Sequence, residues 1–256
     1  MARIGEVPVS RAPAAPELSI VIPFFNEAGN IASLIAELRE ALSAIPVGSE
    51  VLAVDDGSID NTRSELEAAA LAWPALRIIG FEKNQGQAAA CFCAFEQALG
   101  LWVGMLDGDG QNPPAELVRL WSIRDSADMI VGVRAQRKDS WLRRAMSRVA
   151  NAARRFVLRD GVSDTGCSLK LFRRSMVPSF LPIRTMYSFL PAFAISGGWS
   201  VREIAVAHRA RQAGASKYGL RVMAIGPCLD LLALAWILRR TIKRNRQPGT
   251  DPRTAR

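Results

Sequence analysis

The stretch ELSIVIPFFNE, residues 17–27, is an apolar run that ends abruptly in an asparagine and a glutamate. Its apolar residues are continuous rather than alternating, the pattern of a strand buried on both faces. Three further runs repeat the design: EVLAVDD (50–56), LRIIGFE (76–82) and WVGMLDGD (102–109). Between them, apolar residues at helical spacing predict helices over 30–44, 61–71, 86–99 and 113–124, and a fifth strand follows at DMIVGVR, 128–134. Buried strands alternating with helices predict an α/β fold: a Rossmann-like, mostly parallel central sheet with helices on both faces. In such sheets ligands bind beyond the carboxyl ends of the strands. Polar clusters stand at three of those ends: Asn26-Glu27, Asp55-Asp56-Gly57-Ser58 and Asp107-Gly108-Asp109.

The bulk numbers bound the reading. A chain of 256 residues suits one large domain, and 49% hydrophobic with 22% charged residues excludes disorder throughout. The net charge of +9 conceals a segregation: residues 1–128 hold 8 Lys and Arg against 18 Asp and Glu, whereas 129–256 hold 25 against 6. A basic chain invites nucleic acid as partner, yet no aromatic-interleaved basic sheet or binding motif is present, so no specific nucleic acid is expected. Four cysteines without a CxxC, and one histidine, do not complete a zinc set, and they read as free thiols in a reducing compartment. Residues 1–16 are rich in Pro and Ala and lack an apolar signal core, so they read as a disordered leader before a folded domain at 17–219.

The acidic rim suggests a chemistry. There is no GxxxxGK[ST] and no GxGxxG after the first strand, so the common phosphate-binding signatures are missing. Asp107 and Asp109 instead offer the hard oxygen ligands that Mg2+ or Mn2+ prefers, with diphosphate oxygens and water completing the shell. Gly108 and Gly110 read as leaving space for that diphosphate. The plainer alternative is a turn with two exposed aspartates. For Asp55 and Asp56 it is a strand-to-helix turn capped by Asp60 or Asn61.

Six motifs in order carry a resemblance: IPFFNE (22–27), VDDGSIDNT (54–62), NQGQAAA (84–90), LDGDGQNPP (106–114), VSDTGCSLKLFRR (162–174) and HRARQAGASKYG (208–219). Together, over about residues 18–219, they resemble family 2 glycosyltransferases of the GT-A fold. Among these they are similar to the polyprenol-phosphate group that includes dolichol-phosphate mannosyltransferase. The resemblance implies an inverting, metal-dependent transfer of a sugar from a nucleotide-diphosphate sugar to a polyprenyl phosphate. It places Pro23, Asn26, Glu27, Asp55 and Asp56 beside base and ribose, with Asn84, Gly86, Asp107 and Ser216 completing the donor site. Asp107 and Asp109 match the metal pair, with Gln111 as a further ligand. The RxxGxSKY pattern selects Arg211, Ser216 and Lys217 on a loop over the donor. Arg134 stands where the family keeps an acceptor arginine, and Asp164 matches a recurring position whose alternative is a turn aspartate. With Asp109, Arg211 and Lys217, these two form the expected catalytic set.

Two departures and an absence accompany the match. Phe25 replaces the commoner tyrosine, and only one short apolar segment follows the domain. No ED or EDD pair occurs in SGGWSVRE (196–203), where relatives that use a hydroxyl acceptor place a base. A lipid phosphate is already anionic and needs none. A hydroxyl acceptor, or a non-catalytic nucleotide-binding protein at the membrane, are the competing readings.

The basic half points to a surface. In SWLRRAMSRVANAARRFVLRD (140–160), Trp141, Leu142, Ala145, Met146, Val149, Ala152, Phe156 and Val157 recur at helical spacing among arginines that read as headgroup contacts. The segment VMAIGPCLDLLALAWIL (222–238) is short for a span and interrupted by Gly226, Pro227 and Asp230. Residues 220–256 therefore read as a membrane-associating helix with a basic tail, the alternatives being a dimer contact or a core helix. The expected place is the cytoplasmic face of the inner membrane, held peripherally or monotopically on anionic lipid.

Overall fold

A computed structural model of the chain describes residues 15–134, 151–209 and 220–240. Its centre is a seven-stranded sheet formed by β1 (Leu18–Phe24), β2 (Ser49–Asp55), β3 (Leu76–Gly80), β4 (Trp102–Met105), β5 (Met129–Arg134), β6 (Lys170–Arg173) and β7 (Val201–Val206). The order across the sheet is β3-β2-β1-β4-β6-β5-β7. β6 runs antiparallel to both neighbours, and every other pairing is parallel. The expected mostly parallel α/β sheet is what the chain forms. β6 and β7 were not foreseen, nor was α6 (Met186–Ser196).

Helices cover both faces. α1 (Ile31–Ser43) buries Ile31, Leu34, Ile35, Leu38, Ala41 and Leu42, an i, i+3, i+4, i+7 stripe. With α2 (Thr62–Ala72) and α4 (Ala115–Ser122) it closes one core around Ile20, Ile22, Val51 and Leu171. α3 (Gln87–Gln97) and α6 close the other around Val21, Val103, Met129 and Phe172. There Phe172 meets Phe95 and Phe180 edge to face, at 5.2 and 5.3 Å between centroids. Such contacts add to the area term and fix the packing of α3 on the sheet.

Strand ends set the rim. The fourth strand stops at Met105 rather than Asp109, because β1 runs on three residues past its last pairing with β4, at Val21–Met105. Leu106 N still donates to Val21 O, and Asp56 N donates to Phe24 O. In a parallel ladder alternate residues bond to alternate neighbours. Pro23, two on from Val21, thus turns its proton-less nitrogen toward the side where β4 has given way to the 107–109 loop, so no ladder bond is lost.

One expectation about the basic half is corrected. In α5 (residues 151–158) Arg154 is 5% exposed, facing inward, while Phe156 is 85% exposed. The chain turns back after this helix through Arg159 and Gly161, both at positive φ, and Asp160 comes beneath it to pair with Arg154, which also donates to Val162 O. Arg154 is therefore a buried partner of Asp160 and not a headgroup contact. α7 (Leu220–Arg240) is unbroken through Gly226, Pro227 and Asp230. Asp230 accepts the Thr185 hydroxyl at 2.6 Å, and Leu231, Leu234 and Leu238 pack on the α3–α6 core. Leu229, Leu232 and Trp236 form an exposed stripe on the same helix, beside Arg239 and Arg240. Among the described residues, no helix is long and apolar enough to cross a membrane.

Candidate active site

The first two rim motifs interlock. Asn26, at φ 51°, accepts Ile59 N on Oδ1 at 2.9 Å and donates its own N–H to Ser58 Oγ at 3.0 Å. Glu27 N donates to Thr62 Oγ1, and Asn30 donates to the Glu27 carboxylate at 2.8 Å. Asp55 accepts Ser58 N, while Asp60 accepts Thr62 N and Ala28 N. Of the two candidate caps for α2, Asp60 supplies the side-chain bond and Asn61 does not.

The third motif closes on the second. Asp56 is buried and accepts Gln85 N at 2.7 Å, Gly86 N at 2.9 Å and Asn84 Nδ2 at 2.8 Å. Burial pushes its carboxyl above the ordinary range, against the pull of the two backbone amides. Asp56, Asn84 and Gly86 thus shape one loop, with Gly86 leading into α3.

The aspartate pair lies beside it. Gln87, first in α3, donates to Asp107 Oδ1 at 2.6 Å, and the Ser168 hydroxyl faces the same carboxylate. Burial first, and then the charge of Asp109, push the Asp107 carboxyl up to about 6. Asp109 is buried and accepts Gln111 N at 3.1 Å. The glycines between them have a different reason from the expected one. A Cβ on Gly108 would stand 2.5 Å from the Phe24 ring and 2.9 Å from Pro23 O, so the end of β1 fills that space. Gly110 is uncrowded but holds φ at +72°, the left-handed region that favours glycine. Gly108 therefore makes no room for a diphosphate, whereas the space beside Gly110 is open.

On the other side of β6 the site holds an arginine ion pair. Arg134, at the end of β5, gives Nε and Nη2 to the two oxygens of Asp164, both at 2.8 Å, in a bidentate pair with little exposure. Glu203 of β7 accepts Ser163 N and Asp164 N and fixes the turn that carries Asp164. Arg209 N donates to Gln111 O at 2.8 Å, Gln111 Nε2 reaches Arg209 O at 3.4 Å, and the Arg209 guanidinium pairs with Glu37 of α1. The strap after β7 therefore lies against the aspartate loop. Arg211, Ser216 and Lys217 lie outside the described residues, as do Arg143, Arg144 and Arg148 of the 140–160 run.

Sequence reasoning passed over Lys170. It is 0% exposed, pairs across the sheet with Met105 of β4 and with Val131 of β5, and donates to Cys167 O. Burial pushes its ammonium down, and the charges of Asp107 and Asp164 oppose that. The available signal was a lysine set between leucines in SLKLF.

The donor set of Asp107 and Asp109 fits a hard divalent cation. Both ligands are carboxylate oxygens, and the like charge they confine is what such an ion relieves.

The comparisons with known proteins agree with this geometry. The family model for glycosyl transferase family 2 matches residues 19–180. An undecaprenyl-phosphate 4-deoxy-4-formamido-L-arabinose transferase from Serratia proteamaculans is 35% identical over 83% of this chain and 66% of the relative. A dodecaprenyl-phosphate galacturonate synthase from Rhizobium johnstonii is 36% identical over 87% of this chain and 68% of the relative. The chain spans about two thirds of the length of the curated relatives it matches. Among solved structures, glucosyl-3-phosphoglycerate synthase from Mycobacterium tuberculosis, in complex with Mn2+, UDP and phosphoglyceric acid, superposes with a TM-score of 0.66 at 17% identity, covering 93% of this chain and 85% of that one. A mannosyltransferase from Pyrobaculum calidifontis, in complex with GDP-Man and Mn2+, gives 0.60 at 18%, covering 93% and 69%. The fold is the GT-A glycosyltransferase fold, and the chain belongs to glycosyl transferase family 2.

Proposed function

We propose that this chain transfers a sugar, with inversion, from a nucleotide-diphosphate sugar to a polyprenyl phosphate at an anionic membrane surface. The observation that carries the reading is the separation, across β6, of a carboxylate pair from an arginine. The carboxylates Asp107 and Asp109 stand at the end of β4 and the cation Arg134 at the end of β5, two strand spacings away, or about 10 Å. An anionic acceptor and a metal-bound donor have separate places in such an arrangement. The curated relatives, named for undecaprenyl and dodecaprenyl phosphate, support the acceptor class.

Asp107 and Asp109, with Gln111, would hold Mg2+ or Mn2+. When bound, the metal supplies positive charge against the departing diphosphate. The loop shaped by Asn26, Glu27, Asp55, Asp56, Asn84 and Gly86, with Pro23 at the end of β1, borders the nucleoside. Asp164 fixes the plane of Arg134, which presents its cation to the acceptor phosphate, and Arg211, Ser216 and Lys217 add donors above the site. The acceptor oxygen is ionised at neutral pH and attacks without a protein base. Glu203, the carboxylate of β7, is already bonded to the Ser163–Asp164 turn.

The exposed stripe of Leu229, Leu232 and Trp236 on α7, with Phe156 on α5 and Arg155, Arg159, Arg239 and Arg240 near it in sequence, supports attachment to the lipid surface. We place it on the cytoplasmic face, where nucleotide sugars are made.

The test is calorimetric titration of UDP and GDP with Mn2+ or with EDTA. Metal-dependent binding that Asp109→Ala abolishes while the circular dichroism spectrum is kept is the expected result. Binding unaffected by EDTA and by Asp109→Ala would refute the site.

A further inference from the structure

Ser168 is buried in the segment that enters β6, and its hydroxyl has two partners from one loop. It faces the Asp107 carboxylate, and Asn112 Nδ2 approaches its Oγ at 2.6 Å. A serine hydroxyl has one proton and two lone pairs. The ionised carboxylate accepts only, and the amide nitrogen donates only. The proton therefore goes to Asp107, and a lone pair receives Asn112. The Asn112 amide is itself oriented, because its Oδ1 faces the Cys167 thiol at 4.0 Å. Asp107 and Asn112 are the two ends of the aspartate loop, so Ser168 braces that loop from a different strand. From α3, Gln87 holds Asp107 Oδ1 at 2.6 Å.

We propose that Ser168 and Gln87 are positioning residues for Asp107, that Asn112 orients Ser168, and that this bracket sets the affinity of the site for its divalent cation. The inference rests on Asp107 being a metal ligand, as proposed above. Asp107 is crowded beside Asp109, and like charges rotate apart unless held. Two donors on one carboxylate fix its rotamer and leave its remaining lone pairs directed at the rim. Partners of metal ligands of this kind change metal affinity by about 10–100-fold when removed. The hydroxyl also accepts the buried Asn112 amide, so its removal lowers stability as well, and the metal readout with Ser168→Thr separates positioning from folding.

The test measures Mn2+ affinity by electron paramagnetic resonance of the free ion, with saturating UDP and in a second series GDP, alongside thermal denaturation in EDTA. Ser168→Ala is expected to weaken Mn2+ binding by about 10–100-fold and to melt somewhat lower, since Asn112 loses its acceptor, and Ser168→Thr to restore the affinity. Gln87→Met reads the same bracket from the other side, should Ser168→Ala fail to fold. Wild-type affinity in Ser168→Ala and Gln87→Met overturns the proposal. Equal losses in Ser168→Ala and Ser168→Thr, tracking a lower melting temperature, also overturn it, because the effect is then one of folding. Asp107→Asn separates the two levels. If it too binds Mn2+ as wild type does, the metal reading fails. If it loses Mn2+ while Ser168→Ala does not, only the bracket fails.

Discussion

Asp107→Asn should stabilise the metal-free protein while removing its metal chemistry. The Asp107 carboxyl is raised from 3.8 to about 6, chiefly by burial and then by Asp109. A shift of that size disfavours the ionised form in the folded chain by roughly 3 kcal/mol, and the partly exposed edge of the residue lowers this by screening. Asparagine keeps the hydrogen bond from Gln87 but turns a nitrogen or a single oxygen toward Ser168, a loss of about 1 kcal/mol. The net gain is about 2 kcal/mol, which for a chain of this size raises the melting temperature by about 4–8 °C.

The sign with pH follows from the direction of the shift. The folded pKa lies above the unfolded one, so the penalty is full above pH 6 and is lost as pH falls through the window from about 6 to 3.8. At pH 5 the ionisation penalty should fall by roughly half, closing about two thirds of the wild-type deficit. Melting of both proteins in EDTA at pH 8 and pH 5 is the assay. A variant less stable than wild type at pH 8, or a gain that does not shrink at pH 5, would refute the reasoning. Metal-linked nucleotide binding by wild type should weaken below pH 6 in the same window, as Asp107 takes up a proton.

Three further outcomes are expected. Gly108→Ala should cost about 1–3 kcal/mol in urea unfolding, because its Cβ meets the Phe24 ring and Pro23 O, whereas Gly110→Ala, which has space but a positive φ, should cost about 1 kcal/mol; the reverse order would contradict the packing described for the aspartate loop. Arg154→Met leaves Asp160 buried without its cation and should cost about 3–5 kcal/mol, most of it recovered in the Arg154→Met/Asp160→Leu double variant; equal losses in single and double variants would remove the ion pair as the cause. Leu232→Ser with Trp236→Ser should lower co-sedimentation with anionic vesicles at least ~10-fold and leave the urea midpoint within about 0.5 kcal/mol, since both side chains are exposed; unchanged sedimentation would move the attachment off the α7 stripe.

The strands that were legible in the sequence are β1 to β5, whose apolar runs leave little ambiguity; β1, β2 and β4 are buried almost throughout, and β3 reads as a strand even at the sheet edge. KLFR, the whole of β6, is four residues with a base at each end, and VREIAV of β7 pairs on one side only at the sheet edge, so neither reads as a run. The rim was legible because its polar residues follow apolar strands directly. Their partners were not. Arg134 and Asp164 are 30 residues apart, Asp56 and Gln85 29, and only the folded sheet brings them together. The helical pattern over 140–160 misled for a physical reason: periodicity weighs Arg154 as polar, although a returning aspartate makes it the inward residue.

Transfer itself tests the central claim most directly. Purified protein would be incubated with undecaprenyl phosphate and a panel of radiolabelled nucleotide sugars, with Mn2+, Mg2+ or EDTA, and the lipid phase counted. An acid-labile radiolabelled lipid from at least one donor, absent with EDTA and absent for Asp109→Ala, is the predicted result. Sugar delivered to lipid equally well in EDTA, or nucleotide bound with no donor giving a lipid product, would contradict it.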